Sequence, residues 1–352
     1  MKVLYVTQRD LLHYRMPIFS LVNAEENIEL TLGHCGKQKK QDAIPELLLK
    51  NKKYGPLNKF EDFAKICDQY DVILCMAYFQ NLAILKMLLN RKRKYKVVLW
   101  SIGVRASTKG HGYDSESKLE GLKEYFFKKG DALLFYSDYP IAKHEARGIP
   151  REKMFVANNT VEVLKINPSD YEEKNQFLFV GSLYATKGLD VLIEAYADAL
   201  KQCPGLYRMT IVGDGDKPRY EEMIKTLGLE DKVKLTGGIY EEKGLAEQFT
   251  KSVLCLSPNQ AGLTVLKSLG YGVPFVTAHD AITGGERFNV IDGETGFYCD
   301  SREAITAVMV DSYKNPEKYK EIGKKAYDYY WANRTPQRMA QGIIDAIKYV
   351  TK

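Results

Sequence analysis

The sequence has 352 residues, of which 45% are hydrophobic and 27% charged, and its formal net charge is +6. This balance excludes a disordered or fibrous chain, and the length favours two globular domains over one oversized core. No run of about 18 apolar residues is present and the first strand-like stretch ends in polar residues, so we expect no transmembrane helix, no signal peptide and a cytoplasmic protein.

Apolar strand-like runs alternate with helical patterns along the chain. In the first half we predict strands at residues 3–7, 28–34, 72–76, 97–101 and 132–136, and helices near 16–24, 61–69, 82–89, 117–127 and 140–147. The chain becomes polar from 156 to 175, where we place an interdomain linker. Strands are then predicted at 177–180, 208–212, 233–235, 253–256 and 275–277. The alternation predicts an α/β fold of two Rossmann-like, doubly wound parallel sheets facing across a cleft.

The positive charge belongs to the first half of the chain. Residues 1–165 contain 28 Lys and Arg against 19 Asp and Glu, which leaves 23 against 26 for the rest. Basic residues are densest at 50–53, 91–96 and 125–129, where aromatic residues accompany them. This mixture suits an anionic membrane surface. The alternative is a solvated loop and a helix C-terminus at which lysines favour the dipole. We find no motif of a nucleic-acid-binding module and expect no nucleic acid partner.

Two glycine turns in the second half predict a phosphate site. In FLFVGSLYATKG an apolar strand breaks at Gly181, and a helix is predicted to begin near Lys187. In NQAGLTVLKSLGYGVP, Gly262 opens a second helix. Such turns present unpaired backbone N–H groups, and a lysine adds positive charge. Two of them in one domain indicate a diphosphate-bearing ligand.

Seven segments in order carry a family resemblance: residues 13–19, 131–161, 177–188, 209–224, 233–239, 254–277 and 290–298. The chain resembles a family 4 (group 1) glycosyltransferase of the two-Rossmann GT-B architecture. The resemblance implies an N-terminal acceptor-binding domain at 1–165, a C-terminal nucleotide-sugar-binding domain at 166–335, and a C-terminal helix at 336–352 that packs back toward the N-terminal domain.

The resemblance also implies roles for individual residues. Lys187 matches the family lysine that contacts the donor diphosphate; the alternative is a lysine on an exposed helix turn. Gly262, Leu263 and Thr264 would wrap the second phosphate, unless they form a plain helix start. The rest of the predicted donor site consists of Gly181, Ser182, Gly213, Asp214, Gly237, Ile239, Asn259, Lys267 and Glu286. Gly213 and Gly215 would let the backbone approach the ligand, and Gly237 and Ile239 fall where the family packs its nucleobase.

The chain departs from the family pattern at several positions. Ser182 replaces an arginine, and Asn259 and Lys267 replace two glutamates, of which the second normally accepts hydrogen bonds from ribose. We hypothesise that Lys267 supplies the charge that Ser182 lacks. The family histidine after strand 97–101 is replaced by Ile102, and His111 could move in, although it is equally a solvent-exposed loop histidine.

Three carboxylates, Asp214, Asp216 and Glu286, are further candidates for binding a ligand or an ion. Asp214 and Asp216 form a DxD pair, which could hold a metal ion, but we favour capping of a helix N-terminus and assign no metal. Glu286 is a candidate for sugar or ribose hydroxyls, with a surface-loop glutamate as the alternative. For the acceptor we name Arg9, His13, Arg15 and Arg105, and Arg15 is either an acceptor or phosphate contact or a simple surface arginine.

The sequence therefore predicts a hexosyltransferase that uses a nucleoside-diphosphate sugar of UDP or GDP type, with no metal and no further cofactor. Lys187, His111 and Lys267 are its candidate catalytic residues. The resemblance implies retention of anomeric configuration and a membrane-associated glycan or lipid-linked acceptor in surface polysaccharide synthesis, with the enzyme peripheral on the inner face of the plasma membrane. The alternative is a weak or inactive relative that acts as a nucleotide-sugar-binding partner subunit.

Overall fold

The computed structural model describes residues 1–37, 44–106, 112–115, 118–171 and 173–352. Its strands are β1 (Lys2–Val6), β2 (Glu29–His34), β3 (Glu46–Leu48), β4 (Asn51–Tyr54), β5 (Leu57–Phe60), β6 (Val72–Met76), β7 (Lys96–Ser101), β8 (Ala132–Phe135), β9 (Met154–Val156), β10 (Gln176–Val180), β11 (Arg208–Val212), β12 (Val233–Gly237), β13 (Ser252–Leu256), β14 (Gln260–Ala261), β15 (Phe275–Thr277), β16 (Ile282–Thr283) and β17 (Gly296–Tyr298).

The helices lie between these strands and at the end of the chain. They are α1 (Met16–Asn23), α2 (Phe63–Cys67), α3 (Leu82–Leu89), α4 (Glu120–Phe127), α5 (Ile141–Ala146), α6 (Leu189–Gln202), α7 (Lys217–Thr226), α8 (Glu242–Thr250), α9 (Thr264–Gly270), α10 (Arg302–Lys314), α11 (Pro316–Asn333) and α12 (Pro336–Val350). In the described ranges, none of them is both long enough and apolar enough to span a membrane.

The chain divides into two compact units. Unit 1 comprises Met1–Arg105, Asp114–Thr160 and Pro336–Lys352, and unit 2 comprises Ala106–Tyr113 and Val161–Thr335. The polar segment predicted as a linker is ordered by side chains of unit 2 from Val161 onward. The Tyr330 hydroxyl donates to the Val161 carbonyl at 2.6 Å, and the Leu164 amide donates to the Tyr271 hydroxyl at 3.0 Å.

Unit 1 is built on a seven-stranded parallel sheet of order β3-β2-β1-β6-β7-β8-β9. In its centre Tyr5 of β1 lies opposite Leu32 of β2 and Leu74 of β6. Parallel strands require crossover connections, so helices cover both faces and the strands read as continuous apolar runs. One face packs against α1 and α12, and the other against α2, α3, α4 and α5.

Helix α12 belongs to unit 1 although it ends the chain. Its apolar side chains, including Met339, Ile343 and Ile347, join the core cluster of β1, β7 and β8. The helix also comes close to the backbone of β9, because a Cβ at Gly342 would lie only 2.1 Å from the Val156 carbonyl oxygen. Glycine is therefore required at this point of the helix.

The basic segments of unit 1 hold two departures from the predicted pattern. Lys52 and Lys53 lie in the antiparallel hairpin β4–β5. The sequence does not predict this hairpin, because its strands are short and polar. In the segment 125–129, Phe126 and Phe127 are core residues at 7% and 1% exposure, whereas Tyr125 is 47% exposed. Only the tyrosine of this aromatic group is thus available at the surface.

Unit 2 contains a six-stranded parallel sheet of order β12-β11-β10-β13-β15-β17. Helices α6, α7 and α10 supply buried side chains to its core cluster. All the strand pairs of this sheet are parallel, so their carboxyl ends lie at one edge. Ligands of open parallel sheets bind at that edge. Gly181 follows β10 there, and Gly262 lies in the connection from β13 to α9, directly after β14.

Candidate functional site

The turn after β10 places Lys187 just before a helix. Residues Ala185–Lys187 form a single 3-10 turn, Gly188 follows with φ +73°, and α6 begins at Leu189. The predicted helix start near Lys187 is thus two residues early, because the left-handed Gly188 ends the 3-10 turn before the α-helix begins. The Lys187 side chain is half-buried, as is Ser182 at the start of the turn.

The ammonium group of Lys187 has no anionic neighbour in the part of the chain that the structure describes. Burial lowers its pKa, and burial is the sole cause of that shift. A partly buried cation normally has a partner that balances its desolvation cost. Lys187 therefore offers an unbalanced positive charge at the carboxyl edge of the unit 2 sheet.

The second glycine turn offers backbone donors. Among the described residues, the amides of Gly262, Leu263 and Thr264 donate to no acceptor. A Cβ at Gly262 would meet nothing within 4 Å, so the space beside this turn is open. The turn has the properties predicted for a phosphate contact, because it combines unpaired N–H groups with unfilled space beside Gly262.

Two hydrogen bonds bring the two turns together. The Thr264 hydroxyl donates to the Val180 carbonyl at 3.3 Å, next to Gly181, and the Asn259 amide donates to the Lys187 carbonyl at 3.4 Å. The predicted donor residues Gly181, Lys187, Asn259 and Thr264 thus lie in one place. Their assignment to a donor nucleotide remains a prediction.

The glycines after β11 serve the protein's own packing. A Cβ at Gly213 would lie 1.8 Å from the Gly181 carbonyl oxygen, and one at Gly215 would lie 2.8 Å from the Leu183 carbonyl oxygen. Their small size lets the β11 loop approach the Gly181 turn. The close approach seen in the structure is therefore to the chain itself, rather than the predicted approach to a ligand.

Asp214 does not cap a helix. Asp216 stands at the N-cap of α7, but its side chain makes no capping hydrogen bond, so the capping interpretation is right about the position of Asp216 and wrong for Asp214. Asp214 instead accepts from the Tyr240 hydroxyl at 2.5 Å and from the Gly238 amide at 2.9 Å. These two bonds, the Tyr240 bond first, lower the pKa of the Asp214 carboxyl.

Asp214 thereby fixes the loop after β12, which contains the predicted nucleobase residues. Gly237 has φ +77° and its carbonyl accepts from the Gly213 amide at 3.0 Å, while Ile239 is half-buried. The Tyr240 ring is 85% exposed although its hydroxyl is held by Asp214. Sequence reasoning missed Tyr240, because an aromatic residue in a loop shows no sign of its hydrogen bond.

Lys267 is already paired, which contradicts the hypothesis that it supplies free charge. Its ammonium forms an ion pair with Glu242, the first residue of α8. The other carboxylate oxygen of Glu242 accepts from the Tyr271 hydroxyl at 2.6 Å. Sequence reasoning missed Glu242, because it lies 25 positions before Lys267 in the sequence, with strands β13 and β14 in between. The exchange of the family glutamate for a lysine was the available signal that a carboxylate lies nearby.

Glu286 is not a surface-loop glutamate, since it is only 6% exposed. It accepts from the Gly284 amide at 2.8 Å and from the Thr283 hydroxyl at 3.2 Å. The surface interpretation is therefore wrong, and the carboxylate organises the 283–286 loop from inside.

The acceptor candidates of unit 1 fall into different environments. Arg9 and His13 are exposed, and Arg105 is exposed while its carbonyl accepts from the Asp114 amide at 2.9 Å. Arg15 is buried at 7% exposure, so the interpretation as a simple surface arginine is wrong. His111 lies outside the described residues.

Comparison with known proteins gives a family match for residues 162–329 and a fold for the chain. Residues 162–329 match the family model of glycosyl transferases group 1. The chain is 32% identical over 157 residues to an exopolysaccharide phosphotransferase of Streptomyces coelicolor, with 42% of this chain and 16% of that protein covered. It is 29% identical over 191 residues to the putative colanic acid biosynthesis glycosyltransferase WcaL of Escherichia coli K12, with 49% and 47% covered. The match thus spans less than half of either relative.

The likeness to solved structures extends over the whole chain. HepE of Anabaena, crystallised in complex with UDP, superposes with a TM-score of 0.74 at 16% identity, and 99% of this chain and 100% of that one are covered. At this identity the likeness shows the fold alone. The prediction of an α/β fold with two Rossmann-like parallel-sheet domains is confirmed.

Proposed function

We propose that the chain transfers a hexose from a nucleoside-diphosphate sugar to a glycan or lipid-linked acceptor, on the premise that residues 162–329 match the family model of glycosyl transferases group 1. One observation carries the proposal: Lys187, whose ammonium has no anionic neighbour among the described residues, is hydrogen-bonded through its carbonyl to Asn259, and the unpaired amides of the Gly262 turn follow three residues later. The complex of HepE with UDP and the name of WcaL support a uridine-type donor and a role in surface polysaccharide synthesis.

The arrangement suits the charge that develops when a sugar leaves its nucleotide. As the bond from the anomeric carbon to the phosphate oxygen breaks, negative charge accumulates on the diphosphate. An ammonium at about 4 Å contributes roughly 4 kcal/mol before desolvation is subtracted. Fixed backbone amides add hydrogen bonds without reorganisation during the reaction. Lys187 and the Gly262 turn are thus proposed to stabilise the leaving group.

We assign the ribose contact to Glu242. Lysine has no hydrogen-bond acceptor, so Lys267 does not replace the glutamate that the family resemblance implies at this position. The Glu242 carboxylate occupies the neighbourhood of the Lys267 ammonium and is held by Tyr271. Its side chain is 33% exposed, so a ribose hydroxyl has access to it. The pair presents a carboxylate where the sequence alone offers only a cation.

The proposed reaction retains the anomeric configuration and uses no metal. In a front-face transfer the acceptor oxygen bonds to the anomeric carbon, and its proton passes to the departing phosphate oxygen. This route needs no protein nucleophile, and Lys187 and the amides take the place of a cation on the diphosphate. Asp214 is already held by Tyr240 and Gly238, which argues against its use as a metal ligand.

A second candidate function is nucleotide-sugar binding without efficient transfer. Ser182 lacks the charge of the family arginine, and the Lys267 charge is neutralised by Glu242. Loss of one charge-assisted hydrogen bond costs about 1.5–3 kcal/mol, which slows an enzyme roughly ten- to hundredfold. A partner subunit that binds the donor and turns it over poorly would fit these positions.

We also propose that unit 1 binds an anionic membrane. The Arg93 guanidinium donates to the Lys129 carbonyl at 3.2 Å and to Asp131 at 2.6 Å, so the basic loop adjoins the end of α4. The Lys129 ammonium lies 4.8 Å from the Tyr125 ring centroid. We define the basic-aromatic surface as Leu89, Arg91, Lys92, Lys94, Leu119, Leu122, Tyr125, Lys128 and Lys129. Its exposed leucines and cations match a lipid headgroup layer.

Two measurements distinguish a glycosyltransferase from a partner subunit that binds the nucleotide sugar without transfer. Thermal unfolding with UDP, GDP, ADP or CMP identifies the donor base, since only a nucleotide that binds the folded state raises Tm. Incubation with the matching nucleotide sugar, with and without a lipid-linked glycan, then measures release of nucleotide. Binding with turnover supports the transferase, whereas binding without turnover of any donor supports the partner subunit. If no nucleotide binds, both the transferase and the partner-subunit proposals are rejected.

A further inference from the structure

Arg15 is enclosed by aromatic rings in unit 1. It ends the 3-10 turn His13–Arg15 between β1 and α1 and is 7% exposed. The carbon centre of its guanidinium lies 5.1 Å from the Trp100 ring centroid, 5.0 Å from that of Tyr136 and 5.5 Å from that of Tyr14. We call this arrangement the Arg15 cage.

The hydrogen-bond acceptors of the cage carry no negative charge. One guanidinium nitrogen donates to the Asn159 side-chain oxygen at 2.9 Å, another contacts the Met339 sulfur at 3.5 Å, and the Tyr14 hydroxyl is a further neutral partner. Across the described ranges of the chain, no aspartate or glutamate forms an ion pair with Arg15. A guanidinium stays protonated in proteins, so the cage holds a full positive charge without a counter-charge.

A purely structural role explains this charge poorly. Contact with aromatic faces stabilises a cation by less than the cost of removing that cation from water. A buried arginine of structural function is therefore normally paired with a carboxylate. Elsewhere in unit 1 the chain follows that rule, since the half-buried Arg93 pairs with Asp131 at 2.6 Å.

The position of the cage in the fold points to a ligand. Trp100 lies near the end of β7, Tyr136 follows β8, and Arg15 is in the connection after β1, which places all three at the carboxyl ends of parallel strands. Tyr14, Tyr136 and Asn159 are only half-buried, so the cage is not sealed from solvent. The Trp100 indole nitrogen is a second buried donor, without a partner among the described residues.

We propose that Arg15 binds an oxyanion, a phosphoryl or carboxylate group, carried by the acceptor substrate. A guanidinium fork with a nearby indole N–H is a donor set that suits such a group, and the ligand would supply the missing counter-charge. The inference rests on the proposed function only for the identity of the molecule that carries the anion. Anion binding at Arg15 itself follows from unit 1 alone.

The test titrates a Lys187→Ala variant with inorganic phosphate, D-glucuronate and D-glucose, because loss of Lys187 weakens the competing anion site in unit 2. We expect one or both anions to bind, and glucose not to bind. Adding Arg15→Met to this variant should lower its affinity for the anion roughly ten- to hundredfold, because one charge-assisted contact is lost. Arg151→Met, which removes an exposed arginine of unit 1, is the matched control and should leave the affinity unchanged.

Phosphate binding alone identifies a phosphoryl group, and glucuronate binding alone identifies a carboxylate. The inference is overturned if neither anion binds, or if Arg15→Met binds as tightly as its parent. Should Arg15→Met fail to fold, Trp100→Phe keeps an aromatic ring and removes the indole donor, and a severalfold loss is expected. A tungstate soak of wild-type crystals should show an anomalous peak at Arg15; its absence contradicts the site. If phosphate binds through Arg15 but UDP never binds, the proposed function fails and this inference stands.

Discussion

The Thr264 hydroxyl donates a hydrogen bond to the Val180 carbonyl at 3.3 Å, across 84 residues of sequence. This bond fixes the Gly262 turn against the end of β10, one residue before Gly181. The two turns that the sequence presents as separate strand-to-helix junctions are therefore parts of one site.

Two glycines of the site should respond differently to alanine. Gly213→Ala places a Cβ 1.8 Å from the Gly181 carbonyl oxygen, so we expect the free energy of unfolding to fall by about 1–3 kcal/mol, as in overpacked cores. Gly262→Ala places its Cβ in open space, so stability should change little while UDP affinity falls. Urea unfolding and UDP titration measure both. Equal destabilisation by the two variants would refute this account of the turns.

The ion pair of Lys267 and Glu242 predicts a ribose preference. Wild type should bind UDP more tightly than 2′-deoxy-UDP, because the deoxy analogue lacks a hydroxyl to donate to Glu242. Glu242→Gln keeps the shape of the side chain but loses the charge, and we expect the preference to shrink about tenfold. Calorimetric titration of both nucleotides measures it. A preference that persists undiminished in Glu242→Gln would remove Glu242 from the ribose site.

Lys174 gives the unfolding free energy a pH dependence. Its ammonium donates to the Gly272 carbonyl at 2.9 Å, and burial lowers its pKa from 10.5 to about 7. Between these pH values the unfolded chain binds a proton that the folded chain lacks, so stability should rise with pH across this window. Below about pH 7 both states are protonated and this contribution is flat.

Lys174→Met should abolish the part of the rise in unfolding free energy with pH that is due to Lys174. Urea unfolding at pH 7, 8 and 9 compares the variant with wild type, and Lys201→Met, which removes a lysine with 75% side-chain exposure, serves as control. We expect a shallower pH dependence in Lys174→Met alone. Identical slopes in all three proteins would show that Lys174 does not titrate in this range.

The basic-aromatic surface predicts binding to anionic vesicles. Reversing the charges of Arg91, Lys92 and Lys94 to glutamate should weaken binding to phosphatidylglycerol-rich vesicles at least about a hundredfold, because each basic residue near such a surface contributes about 1 kcal/mol. Flotation of vesicles measures the bound fraction. Vesicles of phosphatidylcholine should bind little of either protein.

A control for net charge reverses three exposed lysines of unit 2, Lys225, Lys320 and Lys324. We expect this protein to bind the anionic vesicles much as wild type does. If both triple variants lose binding equally, overall charge rather than the basic-aromatic surface attracts the membrane, and the proposed surface is wrong.

Much of the fold can be predicted from the sequence, because strands, turns and helix starts depend on residues close together in the chain. Buried parallel strands read as continuous apolar runs, and the glycines at 181 and 262 mark where a strand gives way to a turn and a helix. The hairpin β4–β5 escaped prediction because its strands are short and polar, and α6 begins after Gly188 rather than near Lys187.

The candidate site depends more on contacts between distant residues. The sequence predicts Asp214 as a helix cap, because a helix that begins with a proline follows it. Its hydrogen-bond partners Gly238 and Tyr240 instead lie in the loop after β12. The Arg15 cage is formed by residues that are far apart in the sequence: Tyr14, Trp100, Tyr136, Asn159 and Met339. Sequence alone gives residue types at such places; burial and pairing are properties of the folded chain.

Thermal unfolding in the presence of UDP shows whether the Lys187 ammonium and the Gly262 turn bind the donor diphosphate. UDP at about a hundred times its Kd should add about 2.7 kcal/mol to wild-type stability, and the control Lys201→Ala should show the same rise in Tm. Lys187→Ala should show almost none. A full UDP-dependent rise in Tm for Lys187→Ala would show that Lys187 does not bind the diphosphate.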